Sequence, residues 1–144
     1  MSWTSIWIHM VFCTKYRKPF LNDEIRQKVF FHIKGNAVSK GICLDVVNGY
    51  TDHAHCLISL GREHSLAKMA NLIKGESSFW INQNKLTSQK FAWQDDYWAV
   101  SVSEKHVARV RQYILNQEAH HRKKTFKDES DRFMKKYGWQ QIKN

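Results

Sequence analysis

The order in which the hydrophobic period changes along this chain constrains its fold more than any other feature. Residues 3–14 (WTSIWIHMVFCT) are rich in Trp, Ile, Val and Phe and predict a long strand. A basic loop follows, Lys15-Tyr16-Arg17-Lys18-Pro19. Ile25, Val29, Ile33 and Ala37 then recur at helical spacing behind Asn22 or Asp23 as cap, predicting a helix to about Ser39 that Gly41 ends. Residues 42–48 and 52–60 predict two strands that pair as a hairpin with a turn marked by Gly49. Ser65 caps a second predicted helix to about Asn82, with Leu66, Met69, Ile73 and Trp80 inward. Residues 91–102 predict a fourth strand, interrupted at Asp95-Asp96. A third helix is expected from Ser101 or Ser103 to about Lys124, and a last one from about Asp128 to Tyr137, stopped by Gly138. The first six elements run β-α-β-β-α-β. That order matches an α+β fold: a ferredoxin-like, RRM-like split βαβ antiparallel sheet with helices on one face, to which a C-terminal helical segment is added. Without repeat or linker, residues 1–144 read as a single domain.

A chain of 144 residues can bury a core without disulfide or metal staples. Its formal charge of +10 favours a polyanionic partner, usually nucleic acid. No apolar run approaches the ~20 residues of a membrane span. Met1 to Met10 carries no basic segment ahead of an apolar run, so no signal peptide is expected and the protein is expected in the cytoplasm. Cys13, Cys43 and Cys56 are odd in number and form no CxxC pair, which argues against a zinc knuckle and for reduced, buried thiols.

Two stretches carry chemistry. In residues 52–60 (DHAHCLISL), strand alternation puts Ala54, Cys56, Ile58 and Leu60 on one apolar face and His53, His55, Leu57 and Ser59 on the other. Two histidines at i and i+2 lie roughly 6–7 Å apart and can reach one metal ion. The same pattern also fits two ordinary histidines on a sheet face. In residues 107–124 (VARVRQYILNQEAHHRKK), Tyr113 and Gln117 share a helix face, and His121 continues the row. Of the five tyrosines only Tyr113 has Gln at i+4 and histidines a turn further on. This tyrosine could equally pack a core edge with its hydroxyl in water.

Taken together, these residues resemble the single-tyrosine HUH transposases of small bacterial insertion sequences (the IS200-like type) and their relatives, the REP-associated tyrosine transposases. The His-apolar-His signature is His53-Ala54-His55, and the tyrosine signature is Tyr113-Ile114-Leu115-Asn116-Gln117-Glu118-Ala119-His120-His121. Further matches are Val11 to Arg17, Ile73-Lys74-Gly75 with Ser77-Ser78, and Trp93 to Tyr97. Ala54 is small for the apolar position, and Cys56 replaces a more usual aliphatic residue.

The resemblance implies an enzyme, a metal-dependent single-strand DNA endonuclease and strand transferase. His53, His55 and, as third protein ligand, Gln117 would hold Mg²⁺ or Mn²⁺, and Tyr113 would be the nucleophile that forms a 5′-phosphotyrosine. It implies a homodimer in which active sites can be shared between subunits, and single-stranded DNA with hairpins as substrate. Lys15, Arg17, Lys18, Lys74, Arg122, Lys123 and Lys124 are candidate backbone contacts. Phe79, Trp80, Trp93 and Trp98 are candidate stacking residues, each of which also suits a core. Alternatives are a domesticated REP-associated enzyme that processes chromosomal palindromes, and a non-catalytic single-strand binding module, since ferredoxin-like sheets commonly bind single strands.

Overall fold

The computed structural model describes residues 1–122 and 126–137. Four strands, β1 (Trp7–Cys13), β2 (Cys43–Tyr50), β3 (His53–Ser59) and β4 (Trp98–Val102), form one antiparallel sheet in the order β2-β3-β1-β4. Helices α1 (Arg26–Ser39) and α2 (Leu66–Gln83) are the crossovers. The C-terminal segment comprises α3 (Val107–Leu115), α4 (Gln117–His121) and α5 (Phe126–Tyr137). The expected split βαβ sheet is therefore present. Among the described residues, no helix is long and apolar enough to cross a membrane.

The alternation on β3 explains the layering. Ala54, Cys56 and Ile58 join Met10 and Phe12 of β1 in the main core, which Val29, Ile33, Ala37, Met69 and Ile73 of α1 and α2 cover. On the opposite face Leu57 packs with Val107 and Ile114 of α3. The tyrosine-bearing helix thus closes the sheet face that α1 and α2 leave open, and β3 is buried on both sides.

Three expectations change in extent. The first strand starts at Trp7, not residue 3, because its partners run out: Trp7 already pairs with Ser59 and Val102 at the ends of β3 and β4. Upstream, Trp3 and Ile6 are exposed. The fourth strand starts at Trp98. Residues 91–97 form a loop, because Asn82 binds both the backbone N–H and C=O of Phe91, and the Trp93 indole turns inward to donate to Ser77 Oγ at 2.9 Å. The third helix is broken at Asn116. There Asn48 of β2 donates its side-chain amide to the carbonyls of Ile114 and Leu115, each at 3.1 Å, satisfying groups at a helix end. Ser65 caps α2 as expected, accepting from the Lys68 amide. The expected stop at Gly138 lies outside the described residues.

The β2–β3 hairpin turns through Thr51 and Asp52 and brings Gly49 directly opposite Ala54. A Cβ on Gly49 would sit 2.0 Å from the carbonyl oxygen of His53. Gly49→Ala should therefore cost about 3 kcal/mol or more, because the obstacle is backbone. Gly35→Ala in α1, whose Cβ would meet nothing within 4 Å, should be neutral or stabilising by up to ~1 kcal/mol. Urea unfolding of both variants checks the contrast. Equal midpoints would refute the close approach at Gly49.

Candidate active site

β3 supplies the floor of the site. His53 and His55 are both fully buried and point to the α3 face, their ring centroids 5.1 Å apart. His53 Nδ1 lies 2.8 Å from Asp52 Oδ1, and His55 Nδ1 lies 2.8 Å from His9 Nε2 of β1. Each imidazole is thereby oriented through one ring nitrogen, which aims its Nε2 at the C-terminal helices.

Those helices supply the walls. Tyr113 on α3 packs edge-on against His55, ring centroids 5.7 Å apart, and against His9 at 6.2 Å. Gln117, buried at the start of α4, places Oε1 3.1 Å from His53 Nε2 and donates Nε2–H to the Tyr113 carbonyl. The i, i+4 relation survives the break at Asn116. His53 Nε2 and the Gln117 oxygen are thus two donor atoms that could reach one cation. From α5, the buried Glu129 carboxylate lies 2.7 Å from His55 Nε2, 2.8 Å from His121 Nε2 and 3.1 Å from His120 Nε2.

Three ties hold these walls. Arg111 of α3 forms a two-pronged ion pair with Asp45 of β2. Buried Arg26 at the start of α1 donates to Glu118 of α4, to Asp23 and to the Leu21 carbonyl, with its guanidinium over the Tyr50 ring. Tyr50 in turn stacks on His121.

Burial sets the protonation states. It holds the His9 pKa down at about 3 and that of His55 at about 4, with each histidine's charge opposing the charging of its neighbours. Both are neutral near pH 7, the form in which imidazole ligates metals. Burial alone would raise the Glu129 pKa, but hydrogen bonds from His121 and His55 outweigh it and hold the carboxyl well below the usual range. Burial, and then the Glu129 charge, push the Tyr113 phenol well above its ordinary value.

Tyr113, His53, His55 and Gln117 thus come together within one chain. Lys15, Arg17 and Lys18 lie exposed in the short 3-10 turn that follows β1 and its flank. In that turn Tyr16 and Arg17 adopt left-handed backbone angles, φ 57° and 54°. Thr14, which opens the turn, donates its backbone N–H to the carbonyl of Asp52, so this basic turn abuts the carboxylate that orients His53. Lys74 is half-buried and donates to the Asp95 carbonyl. Arg122 is exposed after α4, and Lys123 and Lys124 lie outside the described residues. Of the candidate stacking residues, Phe79 is exposed, Trp80 stacks on His32, Trp98 is half-buried, and Trp93 belongs to the core. Cys13 and Cys56 are buried, burial holding the Cys56 thiol up at about 12, whereas Cys43 is exposed.

His9, Asp52 and Glu129 were not singled out by the sequence. A histidine in the middle of an otherwise apolar strand is the one local signal for His9. Glu129 sits in a highly charged helix and carries no such signal.

The family model described as "Transposase IS200 like" matches residues 2–117. The chain belongs to the IS200-like transposase family. It is 24% identical over 114 residues to the ISDra2 transposase TnpA of Deinococcus radiodurans, covering 76% of this chain and 81% of that protein. A crystal structure assigned as a transposase of Deinococcus radiodurans R1 superposes with a TM-score of 0.65 at 25% identity, covering 81% of this chain and 93% of the other. The fold is shared with a REP-associated tyrosine transposase solved bound to a REP hairpin, TM-score 0.59 at 16% identity, covering 84% and 74% of the two chains.

The buried neutral histidines make stability pH-dependent in a defined window. Their folded pKa values lie below the ordinary 6.5, so the unfolded chain takes up protons that the folded chain refuses. Stability is complete above pH 6.5 and falls as pH drops toward 4, while Glu129 adds to the loss only below its ordinary 4.5. Between pH 6.5 and 4.5 the chelator-treated protein should lose on the order of 3 kcal/mol. Denaturant melts at half-unit pH steps measure this, and a flat profile across the window would contradict the assignment of neutral His9 and His55.

Proposed function

We propose that this transposase cleaves and rejoins single-stranded DNA through a covalent link to Tyr113. The observation that carries the reading is the convergence, within one chain, of the Tyr113 ring on His55 and of the Gln117 oxygen on His53 Nε2. His53, His55 and Gln117 fit a divalent cation such as Mg²⁺ or Mn²⁺: two neutral imidazole nitrogens and one amide oxygen, all buried, with the imidazoles oriented from behind. When bound, the ion supplies charge neutralisation at the scissile phosphate.

The Tyr113 oxygen attacks the phosphorus. The phenol gives up its proton to water as a bond forms between them, the bond from phosphorus to the 3′ oxygen breaks, and the electron pair leaves with that oxygen, which takes up a proton from water. A 5′-phosphotyrosine and a free 3′-OH result. The phosphodiester count is unchanged, so the reverse attack by a 3′-OH rejoins DNA without ATP. The aromatic packing of Tyr113 between His9, His55 and His120 fixes its position, while Gln117 ties the helix carrying it to His53. Lys15, Arg17, Lys18, Lys74, Arg122, Lys123 and Lys124 hold the strand backbone electrostatically, consistent with the net charge of +10. The substrate class is single-stranded DNA bearing hairpins, and the reaction takes place in the cytoplasm. We take the working unit to be a homodimer, and sedimentation equilibrium of the free protein at micromolar concentration should return about twice 17.1 kDa; a mass near 17.1 kDa under the same conditions would reject it.

Labelled hairpin-bearing single strands incubated with Mn²⁺ should give a protein–DNA adduct that survives denaturing electrophoresis. Tyr113→Phe should abolish the adduct while changing strand affinity less than about threefold, because the ring packing is kept. An adduct formed by Tyr113→Phe would show that another residue is the nucleophile.

A further inference from the structure

The family model ends at residue 117, yet the donor cluster continues beyond it. We propose that His121 and Glu129 join His53, His55 and Gln117 as metal ligands, giving a shell of three imidazoles, one amide oxygen and one carboxylate that selects an ion of the Mn²⁺ or Zn²⁺ kind over Mg²⁺. This rests on the reading of His53 and His55 as ligands given above.

Geometry carries the inference. One donor atom from each of His53, His55, His121 and Glu129 lies within 4.8 Å of all the others. Two ligands of one such ion, bound at ~2.1 Å, are at most ~4.2 Å apart, so small side-chain rotations suffice. The two carboxylate oxygens of Glu129 are divided between the histidines: Oε1 is 2.7 Å from His55 Nε2 and Oε2 is 2.8 Å from His121 Nε2. The two strand histidines have their other ring nitrogen engaged, by Asp52 and by His9, which is the outer-shell pattern of ligating imidazoles. Glu129 is 1% exposed although its neighbours Asp128 and Asp131 are exposed. A carboxylate is buried at high cost unless it is paired, and the groups that face both oxygens of Glu129 are imidazoles able to ligate a metal. A cavity of about 170 Å³ lined by His120, Asp128, Glu129 and Arg132 gives the cluster an entry path.

The donor chemistry then decides the ion. Mg²⁺ requires near-octahedral oxygen and keeps its waters, whereas imidazole-rich sites favour later divalent ions in the Irving–Williams order. A purely architectural Glu129, holding α5 by ion pairs, would leave metal affinity and ligand count unchanged when it is altered.

The full chain, stripped with chelator and without DNA, is titrated with MnCl₂ and separately with MgCl₂ by calorimetry, and nitrogen ligands to Mn²⁺ are counted by pulsed electron paramagnetic resonance. We expect Mg²⁺ to bind at least a hundredfold more weakly than Mn²⁺. Glu129→Gln and His121→Asn should each weaken Mn²⁺ at least tenfold. The imidazole count should be three in the native chain and in Glu129→Gln, and two in His121→Asn. Melting in chelator reports whether each variant folds; where Glu129→Gln does not, Glu129→Asp and the nitrogen count of His121→Asn decide. Native-like Mn²⁺ affinity in both variants together with loss in His53→Ala would overturn the proposal and leave the histidine-pair reading standing. Native-like affinity in His53→Ala as well would remove both.

Discussion

The site depends on one constraint, the double burial of β3. This strand is hydrogen-bonded to β1 on one side and β2 on the other, and its side chains are covered on both faces. Its period of two sends Ala54, Cys56 and Ile58 into the core under α1 and α2, and sends His53, His55 and Leu57 toward α3. A slip of one residue would put imidazoles into an apolar core and methyl groups into the site, so register and chemistry are the same specification. Gly49 enforces it from the hairpin, since only a residue without Cβ lets β2 approach the His53 backbone so closely.

The second requirement is that the helical segment meet this strand at a fixed depth. A continuous helix through Asn116 would give its carbonyls only to its own later amides. Asn48 instead binds the carbonyls of Ile114 and Leu115, and the chain restarts with Gln117 fully buried while Leu115 stays half-exposed. Arg111 ties the segment before the break to β2, and Arg26 ties the segment after it to α1. These polar ties act on two sides of the break, so the Tyr113–Gln117 pair is positioned by β2 and α1 as much as by its own helix.

Much of this was legible from periodicity. The order of the first six elements, the core-facing stripe of α1, the Ser65 cap and the two faces of β3 all follow from local patterns that the structure reproduces. What periodicity missed depended on tertiary partners. Trp93 has the propensity of a strand residue, yet its indole N–H finds Ser77 in the core and the backbone around it leaves the sheet. The break at Asn116 requires Asn48, 68 positions earlier in the sequence. Glu129 belongs to an ordinary charged helix by sequence, and only the fold carries it beneath the histidines. The pairing of Tyr113 with Gln117 was readable because i and i+4 neighbours are a local matter.

The electrostatics of the two surfaces explain why such a site would need a cation at all. Outside, Lys15, Arg17 and Lys18 border the strand end that leads to Asp52, and their charge would draw a polyanion there. Inside, His9 and His55 are neutral near pH 7 and Glu129 is ionised, so these two imidazoles add no positive charge beside the carboxylate. A phosphate brought in by the surface charge would meet the Glu129 carboxylate close to Tyr113. Burial first, and then that same carboxylate, favour the protonated Tyr113 phenol. A divalent cation among these donors would remove both obstacles together: it would turn the local potential positive for the phosphate and weaken the hold of Glu129 on the phenolic proton. On the proposed mechanism, the buried carboxylate would make activity conditional on the ion.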